Sequence, residues 1–316
     1  MRIAVFGAGA VGGYFGGRLA EVGEDVAFIA RSDQLRALRE DGLRVDSVAG
    51  DFAISPVAAT DDPAEVGPVD CVLVAVKTWQ LPDAAKAMGP LVGPRSFVVP
   101  LLNGVEAPDV LAEALGREPV LGGLCGLIAF RKEPGHIVHA GANPWITFGE
   151  LDGRRSDRAG RLAEALERTR GVTVTVSDDI VAAMWEKFMF ITSTGGLGAA
   201  TRAPFGVFRA VPQSRHLLEE AMMEVVAVAR ARGVATEDEM VPKAMRLTDG
   251  LPPDGTSSMQ RDIMAGRLSE LDAWNGAVVR LGREAGVPTP VHEALYGVLL
   301  PQELRARGEI RFPESP

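Results

Sequence analysis

Short apolar segments rich in β-branched residues alternate with helical segments through the first half of the chain. Strands that alternate with helices in this way are typical of βαβ units and of a mainly parallel sheet. The pattern therefore predicts an α/β domain whose strands are RIAVF, DVAFIA, VDCVLVAV, SFVVPLL, PVLGGLCGLIAF, WITFG and VTVTV.

The pattern changes after SDDI, residues 177–180, where long amphipathic segments begin. Apolar residues that recur every three to four positions predict helices. GLPPDG, residues 250–255, predicts a loop between two of them. We therefore expect an α/β domain in residues 1–177 and an all-helical domain in residues 178–316. The longest helical segments are SRHLLEEAMMEVVAVARARG and LSELDAWNGAVVRLGREAG, and Ser177, Asp178 and Asp179 offer N-caps for the first helix.

The composition is that of a globular protein, with 47% apolar and 24% charged residues among 316. A net charge of −9, without any lysine or arginine run, argues against nucleic acid as a partner. The two cysteines, Cys71 and Cys125, lie in apolar strand segments and are expected to be inert core thiols. No segment has the length and apolarity of a membrane span or a signal peptide. We expect a cytoplasmic protein with no membrane partner and no metal site.

A glycine-rich turn follows the first predicted strand in RIAVFGAGAVGGYFGGRLAEVG. Glycines at three fixed positions permit a tight turn, close approach of a pyrophosphate, and packing of helix on strand. The alternative is a glycine-rich turn without a ligand, but the strand-to-helix setting favours a dinucleotide site in a Rossmann-type, doubly wound sheet. The residues predicted to hold the cofactor here are Gly7, Ala8, Gly9, Ala10, Val11 and Gly12.

The end of the second strand indicates which dinucleotide binds. Proteins that use NAD usually place an acidic residue there, whereas this chain has Arg31 and Ser32. Arg31 therefore predicts NADP, with the 2′-phosphate bound by its guanidinium group. The alternative is an ordinary exposed arginine close to Asp33.

Two polar residues follow later strands, Lys77 after VDCVLVAV and Asn103 in VVPLLNGVE. Open α/β sheets bind ligands at the carboxyl ends of their strands, so both are candidates for contacts with the cofactor. A solvated strand end for Lys77 and a turn residue for Asn103 remain equally open.

The helical half contains three further candidates. Lys187 lies in the apolar window AAMWEKFMFITSTGG, and the alternative to a functional role is a lysine paired with Glu186 or another carboxylate. Ser257 and Gln260 have capping-box spacing, which places Ser258 at a helix N-terminus. Ser258 is therefore a candidate for an anion site, and the alternative is a plain surface residue. Glu270 follows Arg267 by three positions, and the alternative there is a solvated ion pair.

Together these stretches resemble the ketopantoate reductase (2-dehydropantoate 2-reductase) family. The resemblance extends over nearly the whole chain, through GAGAVGGYFGGRLA, VAVKTWQ, LLNGVE, WEKF, SSMQRDI, GRLSELDAWNG and GVPTP. It implies a Rossmann domain followed by a helical domain, with NADPH in the cleft between them, and the reduction of ketopantoate in pantothenate biosynthesis. By the same resemblance, Lys187 is the catalytic lysine, Glu270 its partner carboxylate and Ser258 a contact to the substrate carboxylate. Lys77 and Asn103 become cleft residues near the nicotinamide, and Asn103 is also a candidate for substrate binding.

The sequence departs from the family at positions where asparagines are expected to contact the substrate. Apolar side chains should supply an apolar wall and glycines should supply room, so the same resemblance leaves open a more apolar 2-keto acid. The positions concerned are Ile191, Gly195, Phe205 and Gly255.

Other functions remain open at this point. A hydroxyacid or opine-type dehydrogenase shares the same two-domain plan. A non-catalytic NADP-binding sensor is a further alternative. A sensor needs no proton donor, so the presence of a candidate donor in this chain argues against it. A homodimer is possible, because the Met- and Val-rich segment 217–229 can face a partner subunit or its own core.

Overall fold

The computed structural model of the chain describes residues 1–141 and 143–313, and it has a mixed α/β first half and a helical second half. Two compact units are present. The first contains residues 1–102 and 106–181, and the second contains Asn103–Val105 together with the residues from Ala182 onward. The short segment at residues 103–105 therefore packs with the helical unit, although its neighbours in sequence belong to the first unit.

All of the predicted strand segments are present in the first unit, together with four that the pattern did not predict. The unpredicted strands are β3, β4, β5 and β10, each only three to five residues long. The strands are β1 Arg2–Phe6, β2 Asp25–Ile29, β3 Leu43–Ser47, β4 Phe52–Ile54, β5 Ala58–Thr60, β6 Val69–Val74, β7 Val92–Pro100, β8 Gly122–Gly126, β9 Ala129–Glu133, β10 His136–His139, β11 Trp145–Gly149 and β12 Thr173–Val176.

The strands form three sheets. The main sheet is fully parallel, with the order β5-β2-β1-β6-β7, and it is the Rossmann-type sheet expected from the sequence. A second sheet, β4-β3-β10-β9, contains two antiparallel pairs, and a third, β12-β11-β8, contains one. The segment PVLGGLCGLIAF contributes to two strands, β8 and β9, which lie in different sheets.

Among the described residues of the first unit, six α-helices connect and cover these strands. Apolar residues of β1 and β6 are buried beneath them, because the central strands of a parallel sheet are covered on both faces. Cys71 and Cys125 are buried there, and burial raises the pKa of the Cys71 thiol. The helices are α1 Ala10–Glu21, α2 Ser32–Glu40, α3 Pro63–Val66, α4 Leu81–Ala87, α5 Ala107–Leu115 and α6 Asp157–Glu167.

Helices make up the second unit. Its first helix begins at Ile180, directly after Asp179, and the predicted loop at residues 250–255 lies between α10 and α11. The prediction of one helix over residues 268–286 is wrong in its first part. A π-helix, Asp272–Gly276, precedes the α-helix there. The α-helices are α7 Ile180–Thr201, α8 Phe205–Phe208, α9 Pro212–Ala231, α10 Met240–Gly250, α11 Ser258–Met264, α12 Ala277–Ala285 and α13 Pro290–Ala306.

The Met- and Val-rich segment of α9 packs mainly into the core of its own unit. Met222, Val225 and Val228 are buried, while Leu217 and Met223 are exposed. No helix in the described part of the chain is long and apolar enough to cross a membrane.

Candidate functional site

The glycine-rich turn joins β1 to α1, in the order that the sequence predicts. Gly7 has φ of +102°, and a Cβ atom on Gly12 would lie 2.1 Å from the carbonyl oxygen of Gly7. A Cβ atom on Gly9, by contrast, would meet no atom within 4 Å. Gly9 is also the N-cap of α1, and it has no side chain to satisfy the first backbone N–H groups. The turn thus presents open space in front of a helix N-terminus, which suits an anionic ligand.

Arg31 lies at the N-terminus of α2, as expected for a residue after β2. Its side chain is exposed and makes no hydrogen bond or ion pair with the residues that the structure describes. The nearby carboxylate of Asp33 lies 3.7 Å from the guanidinium group of Arg131 on β9. The guanidinium group of Arg31 is thus available to a phosphate.

Gln34 is a buried residue that the sequence analysis missed. Its Nε2 donates to the carbonyl oxygen of Ala8 at 2.8 Å, and its Oε1 accepts from the backbone N–H of Gly135 at 3.1 Å. The first bond ties the start of α2 to the glycine-rich turn, and the second ties it to the turn between β9 and β10. A glutamine at a helical position otherwise occupied by apolar residues is the only signal that the sequence offers.

Lys77 follows β6 as predicted. The side chain is exposed, and its Nζ lies 5.6 Å from the centre of the Trp79 ring. Because β6 lies between β1 and β7 in the parallel sheet, Lys77 lies just beyond the carboxyl end of a central strand.

Lys187 projects from α7, a helix whose Met184 and Phe188 are buried. The lysine is half-buried, and its Nζ donates to Oδ1 of Asn103 at 2.8 Å. Glu186, the neighbour of Lys187 in sequence, accepts from Lys243 at 2.6 Å.

Asn103 also contacts Glu270. Its Nδ2 donates to Oε2 of Glu270 at 3.3 Å, so the two ends of one amide bridge an ammonium and a carboxylate. This pairing fixes the orientation of the amide, because only the oxygen can accept from lysine and only the nitrogen can donate to glutamate. Glu270 is only 6% exposed. The alternative ion pair with Arg267 is wrong, because Arg267 donates to Asp262 at 2.8 Å.

Ser258 is the first residue of α11, as the capping pattern predicted. The Oγ of Ser257 accepts from the backbone N–H of Gln260 at 3.0 Å. The amide of Gln260 does not return to the N-cap and donates instead to the carbonyl oxygen of Ala203. Only half of the capping box therefore forms. Ser257 lies beside α7, with its Oγ 3.4 Å from the position of a Cβ on Gly195.

The room expected at the two glycines is not there. A Cβ on Gly195 would lie 2.7 Å from Cζ3 of Trp274, and one on Gly255 would lie 2.9 Å from Cδ2 of Phe205. Aromatic rings fill both spaces. Ile191 is half-buried and packs against the apolar cluster that contains Trp274.

A buried polar chain, also missed by the sequence analysis, holds the π-helix in place. Nδ2 of Asn275 lies 3.3 Å from the carbonyl oxygen of Thr192 and 3.0 Å from Nδ1 of His292. Nε2 of His292 in turn donates to the carbonyl oxygen of Ala221 at 3.0 Å. Burial lowers the pKa of His292 to about 4, so the ring is neutral at physiological pH. The chain links α7, the π-helix, α13 and α9.

Comparison with known proteins identifies the family of the chain. The family model described as ketopantoate reductase PanE/ApbA matches residues 3–153, and the model of its C-terminal part matches residues 179–303. The chain belongs to the ketopantoate reductase family. This family consists of oxidoreductases that act on CH–OH and C=O groups. Among the described residues, no group of histidine, cysteine and acidic side chains could hold a metal ion.

Individual members of the ketopantoate reductase family match over nearly their full length. The 2-dehydropantoate 2-reductase of Halobacterium salinarum is 32% identical over 93% of this chain and 96% of its own. The crystal structure of 2-dehydropantoate 2-reductase from Geobacter metallireducens is 35% identical, with a TM-score of 0.88 over 95% of this chain and 99% of its own. A D-mandelate dehydrogenase solved with NADH and anilino(oxo)acetate shares the fold, with a TM-score of 0.88 at 23% identity over 97% of this chain and 99% of its own.

Proposed function

We propose that this protein reduces a 2-keto acid to a 2-hydroxy acid with NADPH. The observation that carries the proposal is the chain of Glu270, Asn103 and Lys187, in which one amide bridges a buried carboxylate and a half-buried ammonium. A positioned ammonium can stabilise negative charge on a carbonyl oxygen and can also donate a proton to it. A reductase of C=O groups needs both.

The glycine-rich turn and Arg31 would hold the cofactor. The open space at Gly9 suits the pyrophosphate, and the exposed guanidinium group of Arg31 suits the 2′-phosphate of NADP. When bound, NADPH supplies the hydride that reduces C2 of the substrate. We assign cofactor binding to residues 1–177, including Lys77, and substrate binding and catalysis to residues 178–316 with Asn103.

Lys187 is the proton donor in this proposal. The substrate carbonyl oxygen gains negative charge as C2 is reduced, and the ammonium of Lys187 neutralises that charge and then protonates the oxygen. Oδ1 of Asn103 orients the ammonium at 2.8 Å, and the carboxylate of Glu270 orients the amide from its other end. The half-buried position strengthens the interaction, because the effective dielectric constant is lower than in water. Ser258 would contact the substrate carboxylate through the N-terminus of α11.

The substrate itself has two candidates. Family membership supports ketopantoate and a place in pantothenate biosynthesis. The rings of Trp274 and Phe205, which cover Gly195 and Gly255, favour a 2-keto acid with an apolar side chain. A site that leaves a substrate hydroxyl without a partner loses about 1 to 3 kcal/mol, so selectivity for the hydroxyl falls by roughly 5- to 150-fold.

The test is the loss of NADPH absorbance with a panel of 2-keto acids. We expect kcat/KM for 3-methyl-2-oxobutanoate to equal or exceed that for ketopantoate, from which it differs by the missing hydroxymethyl group. A preference for ketopantoate above about 100-fold would rule out the apolar substrate, because that discrimination needs a bonded hydroxyl. NADPH binding without turnover of any 2-keto acid would favour the sensor, and turnover only of an imine would favour an opine-type enzyme.

A further inference from the structure

One face of α7 leads from the reactive lysine to an aromatic ring. Lys187, Ile191 and Gly195 are spaced four residues apart and so lie on the same face of the helix. Ile191 packs in the cluster that includes Trp274, and Gly195 lies directly against the ring. A Cβ atom on Gly195 would be 2.7 Å from Cζ3 and 3.1 Å from Cε3 of Trp274. Any larger residue at position 195 therefore requires the indole ring to move.

Trp274 is part of the same short segment as the carboxylate of the site. Its backbone N–H donates to the carbonyl oxygen of Glu270 at 2.9 Å, at the start of the π-helix. The neighbouring Ala273 lies close to the loop of Asn103, since a Cβ on Gly104 would lie 3.4 Å from the Ala273 carbonyl oxygen. The indole ring is thus carried by the same segment as Glu270.

Phe205 forms a second aromatic wall. Its backbone N–H donates to the carbonyl oxygen of Gly255 at 3.0 Å, and its ring covers the space where a side chain of Gly255 would stand. Ser257 follows two residues later, with its Oγ 3.4 Å from the Gly195 Cβ position. The rings of Trp274 and Phe205 are thus both close to the segment that leads into α11.

We propose that Trp274, assisted by Phe205, determines which 2-keto acids the enzyme accepts. This inference rests on the proposed reductase function. In this proposal, the side chain of a substrate with its carbonyl oxygen at Lys187 extends along the same face of α7. It extends towards Ile191 and the indole of Trp274, which is 2% exposed within the apolar cluster. The favoured substrate carries a short aliphatic side chain of about isopropyl size, because the ring fills the space that a larger group would need.

The indole N–H of Trp274 allows an alternative role for this residue in substrate recognition. The ring covers Gly195 with its six-membered carbon edge, and Nε1 lies on the opposite edge. This nitrogen is buried and has no hydrogen-bond partner among the described residues. A substrate hydroxyl bonded to Nε1 would make Trp274 a polar recognition residue, the opposite of the role proposed. Trp274→Phe tells the two apart, since it keeps an aromatic ring and removes the N–H.

The main experiment compares kcat/KM for phenylpyruvate and 3-methyl-2-oxobutanoate in the wild-type enzyme and in Trp274→Leu. The ratio of phenylpyruvate to the smaller acid should rise by about 10-fold or more in the variant, a typical effect of adding space to an apolar pocket. NADPH affinity should not change. Gly195→Ala should lower kcat/KM for both acids, and the double variant Gly195→Ala/Trp274→Leu should recover it.

Gly198→Ala is the matched control. It lies one turn further along α7, and its Cβ would meet Oε1 of Gln260 at 2.6 Å rather than the indole. Trp274→Leu should not rescue it. If Trp274→Leu fails to fold, Trp274→Phe and Phe205→Leu give the same test with a smaller expected shift.

Two results would overturn the proposal. One is a ratio of the two acids that stays at the wild-type value in folded variants of Trp274 and Phe205. The other is a strong wild-type preference for ketopantoate that Trp274→Phe abolishes, because the indole N–H would then bind the hydroxyl. Neither result would contradict the proposed reductase function. If none of the 2-keto acids supported NADPH oxidation by the wild-type enzyme, both the reductase function and this inference would be wrong.

Discussion

The ammonium of Lys187 lies 2.8 Å from Oδ1 of Asn103, a residue 84 positions earlier in the chain. The other end of the same amide donates to Glu270, 167 positions later. Asn103 belongs by its packing to the helical unit, although its neighbours in sequence form part of the α/β unit. A short segment of three residues thus supplies the central member of the proposed catalytic group.

Removal of the lysine should slow catalysis and leave cofactor binding intact. Lys187→Ala should lower kcat by about 10² to 10⁴, the usual contribution of a positioned acid. Steady-state kinetics on the best substrate of the panel would measure the effect. Lys243→Ala is a suitable control, because Lys243 is an exposed lysine paired with Glu186. A Lys187→Ala enzyme with the wild-type kcat would exclude Lys187 from the mechanism.

Loss of the bridging amide should also lower kcat. Asn103→Ala removes a hydrogen bond to each of two charged groups, and one such bond is worth about 1.5 to 3 kcal/mol, so kcat should fall by roughly 10- to 150-fold. Asn103→Asp should be worse, since it places a second carboxylate beside Glu270. Full activity of both variants would show that the bridge does not position Lys187.

A methyl group at Gly9 should block the cofactor without harming the fold. Its Cβ would meet no protein atom within 4 Å, whereas the turn needs that space for close approach of a pyrophosphate. Gly9→Ala should therefore keep the melting temperature and weaken the binding of NADPH and NADH alike. Gly160→Ala, at another open position on α6, serves as the control. Unchanged affinity in Gly9→Ala would place the pyrophosphate elsewhere.

Arg31 should determine the preference for NADPH. A charge-assisted bond to a phosphate is worth about 1.5 to 3 kcal/mol, so Arg31→Ala should cost roughly 10- to 150-fold in NADPH affinity. NADH affinity should change little. Arg39→Ala, near the other end of α2 and bonded to the carbonyl oxygen of Ala59, is the control. Equal losses for both cofactors would mean that Arg31 does not recognise the 2′-phosphate.

The buried His292 should make stability depend on pH. Burial lowers its pKa from 6.5 to about 4, so the unfolded chain takes up a proton first as the pH falls. The contribution of His292 to the free energy of unfolding is complete above pH 6.5. It is lost as the pH falls from 6.5 to 4, by about 3 kcal/mol at most. Denaturant unfolding of the wild type and of His292→Asn at several pH values would measure it.

The comparison of wild type and variant isolates this histidine from other titrating groups. Glu224 is one of these groups. It accepts from the backbone N–H groups of Val291 and His292, and burial raises its pKa. In His292→Asn the loss of stability towards pH 4 should be smaller than in the wild type. Parallel curves for the two proteins would contradict a neutral buried His292.

The sequence by itself determined the elements with strong local signals. The glycine-rich turn, the parallel sheet of βαβ units, the start of α11 at Ser258 and the end of α12 before Gly286 follow from short-range rules. Glycine conformations, side-chain caps and apolar periodicity act over a few residues, so they can be recognised without the fold. The strands β3, β4, β5 and β10 were missed, although predicted strands such as β12 are equally short.

Only the tertiary structure decided which side chains meet. The spacing of the sequence placed Glu270 three residues from Arg267, yet Glu270 bonds to Asn103 and Arg267 bonds to Asp262. The glycines expected to leave room at positions 195 and 255 instead accommodate the rings of Trp274 and Phe205. Both outcomes have one physical reason. Close packing fills any space that a missing side chain leaves, and a buried charge takes the partner that packing brings to it, however distant that partner is in sequence.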